Sequence, residues 1–125
     1  MTKLNIPIDC GNSPKKNFIK DFNIAFAKGD ADFIIDHVSE DIVWIIHGDK
    51  KIVGKEDFIK EIQLMKNEIP EELTLKSIIT HGKEASANGK IKMNGNTYMF
   101  SDVYGFKGAI GNIISSIESY VIAIG

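Results

Sequence analysis

Four side chains at spacing two, Phe100, Asp102, Tyr104 and Phe106, set one carboxylate among three aromatic rings. In an extended strand alternate residues share a face, so these four form one surface. An unpaired charge is costly to bury in apolar surroundings. The arrangement therefore reads as the wall of a concave, mostly apolar pocket, with Asp102 as its polar anchor. Burial raises a carboxyl pKa and favours the neutral acid, which donates a hydrogen bond. The competing reading makes Asp102 structural, bonded to backbone or paired with a lysine at a sheet rim.

Few other groups offer chemistry. His47 closes the apolar run 42–46 and is a candidate general base; the plainer alternative is a solvated turn histidine. Glu118 alternates with Ser116 and Tyr120 in the last apolar stretch. It either faces the pocket, where a second acid would push one pKa upward, or carries a surface charge at a dimer seam. His37 falls late in a short helix, where a cation suits the helix dipole, and His81 closes a strand. The three histidines lack the close spacing of metal ligands, so neither a metal nor an organic cofactor is expected. Trp44, Ile46, Phe22, Phe100, Tyr104 and Tyr120 are the expected apolar walls.

Composition narrows the partners. The 125 residues carry a formal charge of −2, and all 15 basic residues are lysines. Without arginine, bidentate clamping of carboxylate or phosphate is unavailable. The lysines are scattered, so no basic stripe points to nucleic acid. No stretch approaches the roughly 20 apolar residues of a membrane span. Cys10 is the only cysteine, so an intrachain disulfide is ruled out. The first ten residues lack a signal peptide's apolar run, and a reducing cytoplasm is the expected setting. Cys10 itself reads as a small apolar filler.

The elements that must hold these groups read as one domain over residues 1–125. Residues 1–12 form an extended arm. Ser13-Pro14 starts a helix, with a hydroxyl at the N-cap and proline at the first helical position. Phe18, Ile19, Phe22, Ala25 and Phe26 give its apolar face, and Gly29 stops it. Asp30 caps a short second helix through Phe33, Ile34 and Val38. Residues 41–47 make a strand, 48–51 a turn, and Ile52-Val53 the return strand. Phe58, Ile59, Ile62, Met65 and Ile69 space a third helix that Pro70 ends. Strands fill the remainder. In the first, Leu73, Leu75, Ser77 and Ile79 alternate with Thr74, Lys76 and Ile78. Small residues at 85–88 suit a bulged or curved strand, and Asn94-Gly95 is a strong hairpin signal. The final strand spans 113–124. Helices first and a strand meander after define an α+β class.

The order of motifs is itself informative. Phe26-Ala27-Lys28-Gly29-Asp30, Asp41-Ile42-Val43-Trp44 and Val53-Gly54-Lys55-Glu56-Asp57-Phe58 follow one another, and Asp102-Val103-Tyr104-Gly105-Phe106 precedes Gly111-Asn112-Ile113. Together, over about residues 14–122, they resemble the nuclear-transport-factor-2-like superfamily, close to its SnoaL-like branch. The resemblance implies a strongly curved sheet wrapping the long first helix into a cone-shaped α+β barrel, a pocket inside, and homodimers formed through the sheet. It also implies either a binder of a small hydrophobic molecule with a polar group, or an isomerase, cyclase or dehydratase acting by proton abstraction. A third possibility is a dimeric adaptor without a ligand.

Known active sites of that superfamily transfer incompletely. In the steroid isomerase pattern the aspartic acid falls on Asp102, but the tyrosine falls on Phe22 and the base on Ile46. A phenyl ring donates no hydrogen bond and an isoleucine takes no proton. The polyketide cyclase pattern wants an acid near the end of the Trp44 strand, where only His47 is available, one position on and facing the other way. The epoxide hydrolase pattern needs an arginine that this chain lacks. A dehydratase-like set of His47 or His81 with Tyr104 or Tyr120 is compatible with the residues. In the enzyme reading His47 is the base and Asp102 the acid.

Overall fold

A computed structural model describes residues 2–125, apart from the side chains of Asp9 and Cys10; the expected filler role of Cys10 lies outside the described residues. The first helix, α1 (Pro14–Lys28), forms where its sequence says it should. Ser13 Oγ accepts from the Lys16 backbone N–H at 3.3 Å, satisfying one of the free donors at the helix start. Gly29 ends the helix in the left-handed region at φ 72°. A Cβ there would also strike the Lys66 carbonyl, so close packing and backbone shape both require glycine. Asp30 Oδ1 accepts from Phe33 N–H at 3.2 Å and starts α2 (Ala31–Asp36). At its end His37 Nδ1 donates to the Phe33 carbonyl at 2.6 Å, which closes the last turn.

Among the described residues, seven strands build one sheet in the order β1-β4-β5-β6-β7-β2-β3. These are β1 (Lys3–Asn5), β2 (Val38–Ile46), β3 (Lys50–Val53), β4 (Glu72–His81), β5 (Glu84–Met93), β6 (Asn96–Phe106) and β7 (Ile114–Ala123). The third helix, α3 (Lys55–Met65), lies between β3 and β4. Strands β4 to β7 form an antiparallel meander. The short β1 adds parallel to β4, and β2 adds parallel to β7, so the sheet is mixed. It curves around α1 but does not close. The expected α+β arrangement of a curved mixed sheet around a long first helix is present, as an open sheet whose edges among the described residues are β1 and β3.

Curvature has a visible origin. The β4–β5 register slips between Leu75 and Ser77, and a bulge of this kind bends its strand. Across from it Gly89 lies so near the Thr74 carbonyl that any Cβ would collide with it. The bulge also overturns the expected alternation in β4: Leu73 and Leu75 are buried, but beyond the slip Ile78 is buried and Ile79 is 63% exposed. The Asn94-Gly95 hairpin forms with φ 52° and 79°, as its sequence predicts.

Three boundaries differ from the sequence reading. Residues 3–5 of the arm are a strand, and Ile8–Gly11 is a 3-10 turn. Val38 opens β2 rather than ending α2, because the Ile114 N–H donates to the His37 carbonyl and draws the chain into the sheet early. The third helix ends at Met65, since the apolar stripe beyond it stops reaching the core and Ile69 is 42% exposed. The core lies between α1 and the concave face of the sheet. Phe22 packs edge-on to Tyr104 at 6.0 Å, and Phe26 packs on Trp44 at 5.9 Å.

Candidate ligand cavity

The curved sheet and α1 do not fill the space between them. A cavity of about 280 Å³ remains. Strand β6 gives it Phe100, Asp102 and Tyr104, as alternation requires. Phe22, Asn23 and Phe26 reach it from α1, Trp44 and Ile46 from β2, and Ile117, Ser119 and Val121 from β7. Exposed Lys66, Glu68 and Val121 also border it and mark its rim, while buried Asn23, Tyr104 and Ser119 mark its floor.

The polar floor is a connected set of hydrogen bonds converging on Asp102. Asn23 Nδ2 donates to the Ile19 carbonyl at 2.9 Å and to the Tyr104 hydroxyl at 3.1 Å. That hydroxyl donates in turn to Asp102 Oδ2 at 3.3 Å. From the other side Trp44 Nε1 donates to Ser119 Oγ at 3.0 Å. Ser119 stands directly opposite Asp102 in the β6–β7 ladder, with its hydroxyl near the carboxylate. Burial pushes the Asp102 carboxyl up to about 6, and the Ser119 and Tyr104 hydroxyls oppose this by stabilising the charged form. Burial, together with the neighbouring carboxylate, lifts the Tyr104 phenol well above its ordinary value, so it stays a donor.

Near neutral pH, Asp102 is thus mostly a carboxylate, set in an apolar space and held by hydroxyls. Among the described residues no lysine or histidine forms an ion pair with it. The surface it keeps accessible faces the cavity it lines.

Six of the residues singled out in the sequence meet here: Asp102, Phe22, Trp44, Ile46, Phe100 and Tyr104. Three do not. His47, Glu118 and Tyr120 lie on the opposite, outer face of the sheet, because Ile46, Ile117, Ser119 and Val121 take the inner positions of their strands. His47 Nε2 pairs with Glu118 Oε1 at 2.9 Å, and its ring stacks on Tyr120 at 4.4 Å. His47 and Asp102 therefore lie on opposite faces of the sheet, and the geometry does not bring the expected base and acid together. His81 ends β4 on the surface.

Two polar groups of the floor were missed. Asn23 interrupts the apolar stripe of α1, and a buried amide in such a stripe signals a polar partner across the core. Ser119 alternates with Ile117 and Val121, but both faces of β7 mix serine with large side chains, so no local signal marked it.

Among the described residues no helix is long and apolar enough to cross a membrane. No family model matches the chain, and no curated protein does. Solved structures do. An NTF2-like protein of unknown function from Cytophaga hutchinsonii superposes with a TM-score of 0.69 at 23% identity, over 86% of this chain and 99% of its own. A protein named a SnoaL-like polyketide cyclase, from Shewanella denitrificans, gives 0.73 at 12% identity, over 88% and 92%. One named a ketosteroid isomerase, from Kribbella flavida, gives 0.70 at 10% identity, over 87% and 78%. With its open curved sheet, three helices and enclosed α1, the chain has the nuclear-transport-factor-2-like fold.

Proposed function

We propose that the protein binds a small, largely apolar molecule between α1 and the sheet, with Asp102 meeting the molecule's polar end. One observation carries this reading: a carboxylate with no cationic partner among the described residues sits inside an aromatic-walled hollow. Apolar walls with a few convergent polar groups are the ordinary make-up of a ligand site. An apolar ligand should raise the melting temperature and be recovered unchanged. Val121→Trp, a bulky change at the exposed rim, should abolish that rise while leaving the unliganded melt as it was. A ligand-induced rise of equal size in the variant would count against the cavity as the binding place.

A specific observation favours a second reading, an isomerase or cyclase working by proton transfer, as the names of two structural neighbours suggest. A carboxyl held at about 6 is close to the range that suits acid–base work at neutral pH. Asp102 then serves alone, without His47. Asp102→Asn should lower turnover by roughly 10²–10⁴-fold, and unchanged turnover would exclude it as the proton carrier.

The outer face supports pairing with a second copy of the chain. Val103, Tyr120 and Ile122 are exposed there on adjacent strands. Light scattering should give twice the mass of one chain, and Tyr120→Lys should shift it towards one.

A further inference from the structure

The hydrogen bonds around Asp102 restrict what a ligand's polar end can be. The Tyr104 hydroxyl already donates to the acid and accepts from Asn23. The Ser119 hydroxyl accepts from Trp44 and stabilises the charged acid from across the ladder. Both hydroxyls are therefore committed. A carboxylate has about four lone-pair sites, so Asp102 retains accepting capacity beside these hydroxyls. What the floor offers an incoming molecule is acceptance and negative charge.

Charge points the same way. The charged or titratable side chains bordering the cavity besides Asp102 are Tyr104, which is neutral, and Lys66 and Glu68, which are exposed at the rim. Asn23, Trp44 and Ser119, facing the acid from α1, β2 and β7, carry no charge. Phe22, Phe26, Trp44 and Phe100 border the same hollow, and aromatic faces attract cations through their quadrupoles. A negative charge set among aromatic side chains is complementary to one kind of head.

We infer that the cavity selects molecules with an apolar body and a protonated amine head, the ammonium pairing with Asp102 and lying against the aromatic walls. The inference rests on the binding reading above and narrows it. Carboxylate ligands are disfavoured because two like charges would share a low-dielectric space. Alcohols keep the hydrogen bond but leave the acid's charge unneutralised.

The test uses three molecules with one body: 2-naphthylethylamine, 2-naphthylethanol and 2-naphthylacetate, titrated calorimetrically into the whole chain. At pH 8 the amine should bind at least tenfold more tightly than the alcohol, and the acid most weakly. Between pH 8 and pH 5 the amine should weaken about tenfold as protons compete for a carboxyl titrating near 6, while the alcohol changes less. Asp102→Asn should bring the amine to the alcohol's affinity; should that variant not fold, the pH series on the parent decides alone. Equal binding of all three molecules would overturn the selection while leaving the general binding reading intact. Tightest binding by the acid would overturn the selection too, and no binding by any of the three would count against both.

Discussion

The Tyr104 hydroxyl donates to Asp102 Oδ2 across 3.3 Å, between residues two apart on the same face of one strand. The bond opposes burial without cancelling it, and the carboxyl still rises from its ordinary 3.8 to about 6. The fold therefore prefers Asp102 protonated. Stability linked to this group is fully present below pH 3.8, declines as pH rises to about 6, and is lost above it.

Asp102→Asn removes the charge yet keeps an oxygen to accept from Tyr104. At pH 7 the variant should be more stable than the parent by up to about 3 kcal/mol, the worth of that pKa interval. The advantage should shrink to nothing below pH 4. Urea unfolding at several pH values measures both curves, and parallel curves would show that Asp102 does not titrate in this interval. More stable and less able to hold a cation: that pairing is what a binding group held against the fold's preference should produce.

Ser119→Ala makes the complementary change. It strips the acceptor from a buried Trp44 N–H and a hydroxyl from beside Asp102. The orphaned indole should cost about 1–3 kcal/mol, and the Asp102 carboxyl should move above 6, since one of the two hydroxyls holding it down is gone. Trp44 is the only tryptophan, so its emission reports directly on the altered contact, and carbon-detected NMR follows the carboxyl. Ser119→Thr, which keeps the hydroxyl, should restore both signals. An Asp102 titration unmoved in Ser119→Ala would show that the Ser119 hydroxyl does not stabilise the carboxylate.

His47 and Glu118 should matter little for the cavity. Their side chains are 41% and 44% exposed and lie across the sheet from Asp102. An exposed pair of this kind is worth at most about 1 kcal/mol. His47→Ala should therefore leave affinity for any cavity ligand unchanged within twofold. A tenfold loss would mean that the outer face communicates with the inner one.

Local chemistry made much of the fold legible. Ser13-Pro14 and Gly29 bounded α1, Asp30 opened α2, and Asn94-Gly95 turned the hairpin, because each feature acts through its own backbone. The wall of β6 was equally legible, since Phe100, Asp102 and Tyr104 contrast sharply with their alternate neighbours. Strand β7 was not. Both of its faces mix serine with large side chains, and the parallel pairing with β2 decides which one turns inward. That partner is some seventy residues away, and no periodicity within β7 records it. The same holds for β4, whose bulge lies opposite Gly89 on the next strand.

That bulge leads to a prediction about the shape of the hollow itself. Gly89 and Gly105 both sit where an added Cβ would overlap a neighbour, but the neighbours differ. At Gly105 the obstacle is the Ser116 hydroxyl, the end of a side chain that can rotate away. At Gly89 it is the Thr74 carbonyl, backbone held in the β4–β5 ladder beside the register slip. Gly105→Ala should cost under about 1 kcal/mol, whereas Gly89→Ala should cost about 2–4 kcal/mol, because relieving it means moving one strand off the other. The displaced strand carries Ile91 and Met93, which border the cavity. Gly89→Ala should thus weaken ligand binding even where the protein remains folded, while Gly105→Ala should not. Chemical denaturation ranks the two stabilities, and titration of one cavity ligand ranks the affinities. Equal effects from both substitutions would mean that the bulge does not set the curvature.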